Sequence, residues 1–121
     1  MLTFLIFYSS FFCIKIVRQT IKEQFKMDIR EVINNPATTL VDVRTPSEFM
    51  SGNVPGSINI PLDEVPNRVE EFKAMQGTII VCCVSGGRSG QAAGFLNMHG
   101  VENIYNGGGW MDVNYYKANA A

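Results

Sequence analysis

From residue 28 onward, the apolar residues of the chain follow two different spacings. Apolar runs typical of buried strands occur at residues 39–43 and 78–82, and short strands are also predicted at residues 57–60 and 102–105. Apolar residues at intervals of three and four predict helices at residues 29–33, 62–76, 90–98 and 110–117. Strands that alternate with helices predict an α/β domain, with a mostly parallel sheet flanked by helices on both faces.

Turn and cap signals divide these segments. Thr45 and Pro46 are suited to the cap and first position of a brief helix. Residues 34–36 and 99–100 predict helix ends, whereas residues 51–56 and 106–109 predict loops. In parallel sheets ligands bind beyond the carboxyl ends of the strands, so we expect a site after one of the predicted strands.

The N-terminal segment has a different character. Residues 2–17 are mostly apolar, but the run is shorter than the roughly 20 residues that a spanning helix needs. The basic residues follow the apolar run, whereas a secretory signal has them in front. We therefore divide the chain into an extension, residues 1–26, and a domain, residues 27–121. Weak membrane anchoring through residues 2–17 and an amphipathic helix that contains Ile14, Val17, Ile21 and Phe25 stay open alternatives.

Charge and cysteine content narrow the function. The 121 residues have a net charge of −1, divided as +3 over residues 1–26 and −4 over the rest, which gives no basis for nucleic-acid binding. The three cysteines and the single His99 lack the pairing of a disulfide framework and the spacing of a zinc site. A reduced, cytoplasmic setting fits an unpaired thiol, and we expect a monomeric protein.

The strongest chemical signal lies where the third predicted strand ends, at Cys83. Strand residues alternate between faces, so Cys82 is expected in the core and Cys83 at the loop that follows. A thiolate needs stabilisation, and Gly86 and Gly87 permit positive φ angles that turn backbone N–H groups inward. A helix that starts near Ser89 or Gly90 adds its free N–H groups, and Arg88 adds charge. A buried core cysteine explains Cys82 well, but it does not explain why Cys83 occurs with this loop.

Four motifs in order resemble those of single-domain rhodanese-like proteins. They lie at residues 40–49, 52–61, 83–89 and 105–110, and the third has the family's six-residue form Cys-x-x-x-x-Arg. The resemblance implies sulfur transfer through a persulfide on Cys83, without a cofactor. It also implies that the loop binds the substrate and that Asp42 and Arg44 support the site. The loop residues in question are Val84, Ser85, Gly86, Gly87, Arg88 and Ser89.

Two positions depart from the family pattern. Asn53 stands where a histidine is usual, and Val84 follows the cysteine where many members carry a basic residue. The expected donor is thiosulfate or a persulfide, and Val84 favours a persulfide because it removes one contact to a dianion. A thiol, cyanide or a protein cysteine is the expected acceptor. Other residues have structural interpretations: His99 at a helix end, Trp110 in packing, and Glu64, Glu70 and Glu71 on a solvated face.

Two other functions use the same residues. A non-catalytic binding module or sulfur carrier with this fold would engage a partner without turnover. A phosphatase or arsenate-reductase-like enzyme would use a similar thiolate loop, but the related phosphatase family has a loop one residue longer. The spacing from Cys83 to Arg88 therefore favours sulfur transfer over phosphate hydrolysis.

Overall fold

The computed structural model of the protein describes residues 28–120, so the predictions for residues 1–26 lie outside it. Four strands form one sheet in the order β2-β1-β3-β4, and every neighbouring pair is parallel. The strands are β1 (Thr39–Asp42), β2 (Ile58–Asn59), β3 (Ile79–Cys83) and β4 (Ile104–Gly109). The sequence-based prediction of a parallel α/β sheet is confirmed.

Five α-helices and one 3₁₀ helix surround the sheet within residues 28–120. The α-helices are α1 (Ile29–Asn34), α2 (Pro46–Ser51), α3 (Val69–Ala74), α4 (Gly87–Met98) and α5 (Trp110–Ala118), and the 3₁₀ helix spans Leu62–Asn67. No helix in this part of the chain has the length and apolar character needed to cross a bilayer.

Two core clusters cover the two faces of the sheet. The first joins Val41 and Val81 to residues from α3, α4 and the 3₁₀ helix, and it contains Cys83. The second joins Leu40 and Ile80 to residues from α1 and α5, and it contains Cys82. Because successive strand residues point to opposite faces, the two adjacent cysteines belong to different cores.

The predicted helix over residues 62–76 is wrong as a single element. It is two helices, since the chain leaves helical geometry at Arg68, where φ is −124° and ψ is 22°. Pro66 lacks the N–H group that would continue a helical ladder, and it lies within the tighter 3₁₀ turn. Val65 and Phe72 are nevertheless both buried, so the expected apolar face is retained.

Two further boundaries differ from the sequence-based expectation. The predicted loop at residues 106–109 continues β4, and a bulge there sets Val81 opposite Asn106 but Cys82 opposite Gly108. Helix α4 starts at Gly87 rather than at Ser89 or Gly90, because Gly86 alone provides the left-handed turn, with φ of 99°. The first turn of α4 therefore contains Arg88 and Ser89.

Candidate active site

Cys83 is the last residue of β3 rather than the first residue of the following loop, and it is only 1% exposed. The sequence pattern predicted Cys83 just beyond the end of this strand. The chain turns back at once, because Gly86 in its left-handed conformation directs the backbone into α4. The sulfur thus lies between the carboxyl end of a strand and the amino end of a twelve-residue helix.

Hydrogen-bond donors surround the Cys83 sulfur. The backbone N–H of Gly86 donates to Sγ at 3.0 Å, and the hydroxyl oxygen of Ser89 lies 3.3 Å from Sγ. Ser89 is fully buried, so its hydroxyl has no competing contact with solvent. Donors directed at one atom in this way stabilise a negative charge on that atom.

The pKa of Cys83 reflects two opposing effects. Burial raises the pKa, because it penalises the charged thiolate, but hydrogen bonds outweigh it and lower the pKa from 9.0 to about 7. These bonds come from the Ser89 hydroxyl and from the backbone N–H groups of Ser89, Gly86 and Ser85. About half of the Cys83 thiols are therefore ionised at neutral pH.

Asn106 forms hydrogen bonds to Gly86, Gly108 and Ser89, and the sequence pattern did not predict this role. Its amide nitrogen donates to the Gly86 carbonyl at 2.9 Å, and its Oδ1 accepts from the Gly108 N–H at 2.9 Å. The Ser89 hydroxyl lies 2.7 Å from the same Oδ1. Because a serine hydroxyl carries one proton, that proton is shared between Asn106 and the Cys83 sulfur. The motif at residues 105–110 contained Asn106, but only the folded register of β4 brings it to Ser89.

Arg88 does not present a free charge to the sulfur. Its guanidinium forms a two-pronged pair with the Glu48 carboxylate, at 2.7 and 3.0 Å. The hydrogen bond from Arg88, followed by the backbone N–H of Thr45, lowers the pKa of Glu48 to about 2. The sequence pattern indicated no role for Glu48, which also forms a capping box with Thr45 at the start of α2. The two partners are 40 positions apart in the sequence, so local spacing did not predict the ion pair.

Asp42 and Arg44 form a salt bridge with each other, and they are 0% and 4% exposed. Arg44 also donates to the backbone carbonyls of Glu48 and Gly52, and it stacks on the Trp110 ring with a centroid distance of 4.6 Å. This cluster holds the segment around α2 against the sheet. It lies nearer Cys82, whose pKa rises to about 12 through burial and the charge of Asp42.

The remaining predicted residues lie at the periphery. Val84 is 55% exposed, and Ser85 and Gly87 are also exposed at the mouth of the loop. His99 caps α4 and stacks on Phe95, and Asn53 donates to the Phe49 carbonyl. Glu64, Glu70 and Glu71 are exposed and pair with nearby Arg68 or Lys73. Within residues 28–120, no cluster of three or more histidine, cysteine, aspartate or glutamate side chains is arranged to hold a metal ion.

A parallel α/β domain with a low-pKa thiol at the carboxyl edge of its sheet defines a class of proteins built for thiolate chemistry. The family profile described as "Rhodanese-like domain" matches residues 27–114. The chain belongs to this rhodanese-like family, as the four sequence motifs indicated.

Several relatives support this membership. Thiosulfate sulfurtransferase PspE of Escherichia coli is 38% identical over 74 residues, which cover 60% of this chain and 71% of the relative. Thiosulfate sulfurtransferase GlpE of Tolumonas auensis is 31% identical over 87 residues, covering 69% of this chain and 81% of the relative. A solved E. coli structure described as a rhodanese with anions is 37% identical, with a TM-score of 0.57, and the match covers 62% of this chain and 89% of that one.

Proposed function

We propose that the protein is a sulfurtransferase that carries a sulfane sulfur as a persulfide on Cys83. The observation that supports this most is the set of donors around Sγ, which includes the Ser89 hydroxyl at 3.3 Å and the Gly86 N–H at 3.0 Å, together with a pKa of about 7. The relatives named thiosulfate sulfurtransferase give independent support for the class of reaction.

The proposed reaction divides one transfer into two displacements. In the first, the Cys83 thiolate attacks the outer sulfur of the donor; a new S–S bond forms and the donor's own S–S bond breaks. With thiosulfate the leaving group is sulfite, which takes both electrons of that bond. In the second, an acceptor such as cyanide or a thiol attacks the outer sulfur and regenerates the Cys83 thiolate.

The residues around Cys83 have different roles in this proposal. The N–H groups of Ser85, Gly86 and Ser89 and the Ser89 hydroxyl hold negative charge on sulfur, first as thiolate and then as persulfide. Asn106 is a positioning residue, because it holds Ser89 and the Gly86 peptide. Arg88 and Glu48 hold the start of α4 against α2, and Asp42 and Arg44 hold the neighbouring loop.

Intact mass spectrometry after treatment with thiosulfate or polysulfide tests the proposal. We expect the wild-type mass to increase by one sulfur atom, and the increase to disappear on addition of cyanide. Cys83→Ser should prevent the increase, whereas the matched variant Cys82→Ser should retain it. A folded wild-type protein that gains no sulfur from any donor would rule out the proposal, and so would a gain that survives in Cys83→Ser.

A further inference from the structure

A groove lies beside the loop that follows Cys83, and part of its lining comes from residues outside the four sequence motifs. Its volume is about 550 Å³, within the range of small-molecule sites. The loop after β1, the 3₁₀ helix and the first turns of α4 form its walls. Most of its lining is apolar and includes Val43, Leu62, Pro66, Ala92 and Phe95.

Some residues that line the groove are also neighbours of Cys83. Arg88, which ends the six-residue motif Cys-x-x-x-x-Arg, lines the groove. Val43 and Ala92 line it as well, and both belong to the core cluster that contains Cys83. The cysteine side chain and the groove therefore lie on the same face of the sheet, so a molecule in the groove is adjacent to the Cys83 loop.

The charges around the groove do not suit a dianion. Arg88 is neutralised by Glu48 through two hydrogen bonds, and Arg44 is neutralised by Asp42. Apart from Arg88, the only charged side chain that lines the groove is that of Asp63, which is an acid. Val84 adds an apolar side chain, 55% exposed, at the mouth of the loop. Thiosulfate thus finds backbone N–H groups for its sulfur but no unpaired cation for its sulfonate end among these residues.

We propose that this groove binds the organic group of the sulfur donor, and that the preferred donor is an organic persulfide with an apolar substituent. This inference rests on the proposed sulfurtransferase function. In the loading step, the Cys83 thiolate attacks the terminal sulfur of R–S–SH. The S–S bond of the donor breaks, the thiolate R–S⁻ leaves with its electron pair, and the proton stays on the new persulfide. The group R remains in the groove while the outer sulfur reaches Cys83.

A homologous series of alkyl thiosulfonates, R–SO₂–S⁻, tests the inference. Each is a stable monoanion with a sulfane sulfur, and transfer to Cys83 releases the sulfinate R–SO₂⁻. The methane, propane and pentane members are compared with thiosulfate by the rate of persulfide formation in single-turnover mass spectrometry. We expect kcat/KM for loading to rise with chain length, by up to about fourfold for each methylene that leaves water. Thiosulfate should be the slowest donor.

Two groove variants and one control assign the effect to this surface. Leu62→Ser removes an apolar wall, and Gln91→Trp fills the groove from an exposed lining position, so both should flatten the dependence on chain length. Circular dichroism of both variants should match that of the wild type, which shows that the fold is intact. Met98→Ser changes a side chain of α4 that is 85% exposed and outside the groove lining, and it should behave like wild type.

The outcomes separate this inference from the function on which it rests. Loading from no donor at all would remove the sulfurtransferase proposal itself. Loading from every donor at rates independent of chain length would overturn the groove inference alone. The same is true of a chain-length dependence that persists unchanged in Leu62→Ser and Gln91→Trp.

Discussion

Cys82 and Cys83 are adjacent, and each is only 1% exposed, yet their thiols differ widely in acidity. The pKa of Cys82 rises to about 12, whereas the pKa of Cys83 falls to about 7. Cys82 faces the apolar cluster of α1 and α5 and the charge of Asp42, while Cys83 faces the N–H groups at the start of α4. Two thiols that are equally hidden from solvent can therefore differ in acidity, because hydrogen-bond donors stabilise the thiolate of one and not of the other.

The largest expected effect is a loss of stability when the buried ion pair beside Cys82 is broken. Arg44→Met leaves the Asp42 carboxylate buried without its partner, so we expect the free energy of unfolding to fall by about 3–5 kcal/mol. Urea denaturation measures the loss. Arg30→Met is the control, because Arg30 is exposed and lies over the Tyr116 ring without a buried partner, and its effect should stay within about 0.5 kcal/mol. Equal losses in the two variants would contradict the structural role of the buried pair.

The next effect comes from the turn that forms the donor set. Valine does not adopt the φ of 99° at Gly86, and a Cβ there would lie 3.2 Å from the Gly108 Cα. In Gly86→Val the Cys83 pKa should return from about 7 toward 9.0, which lowers the thiolate fraction at pH 7 by up to about fifty-fold. Iodoacetamide alkylation at pH 7 measures this fraction.

Gly94→Ala is the matched control for the glycine substitution. Gly94 lies in α4 with open space around its position, so the variant should react like wild type. A folded Gly86→Val protein that is alkylated at a rate within twofold of the wild type would show that the turn does not determine the acidity of Cys83.

A smaller effect is expected from the hydroxyl group near the sulfur. Ser89→Ala removes one donor, so the alkylation rate of Cys83 at pH 7 should fall about threefold to tenfold. The loss is limited because the Ser89 proton is shared with Asn106, which lies closer to Oγ than the sulfur does. Ser57→Ala removes a hydroxyl that donates only to the Val54 carbonyl and should have no effect. An unchanged midpoint of the pH profile in Ser89→Ala would assign the low pKa to the backbone alone.

Much of the fold follows from local pattern. Alternation along a strand assigned Cys82 and Cys83 to opposite faces, and the pair Thr45 and Pro46 predicted the start of α2. These features depend on residues that are neighbours in the chain, so spacing is sufficient to find them.

The contacts that set the chemistry depend on register instead. Glu48 reaches Arg88 across 40 residues, and Asn106 reaches Ser89 across 17. Asn106 also lies beside the bulge in β4, which removes Gly107 from the pairing with β3. The periodicity of a single sequence predicts neither a bulge nor the packing of α2 beside α4. The ion pair between Arg88 and Glu48 could therefore be identified only in the folded structure.

The pH dependence of alkylation at each cysteine, measured in one sample by peptide-resolved mass spectrometry, tests the central claim most directly. Because only the thiolate reacts, the rate at Cys83 should rise with pH, reach half its maximum near pH 7 and level off above it. Cys82, with a pKa of about 12, should stay unreactive across the same range in the folded protein. A Cys83 midpoint at the ordinary thiol value of 9.0, or parallel profiles for the two cysteines, would contradict the account.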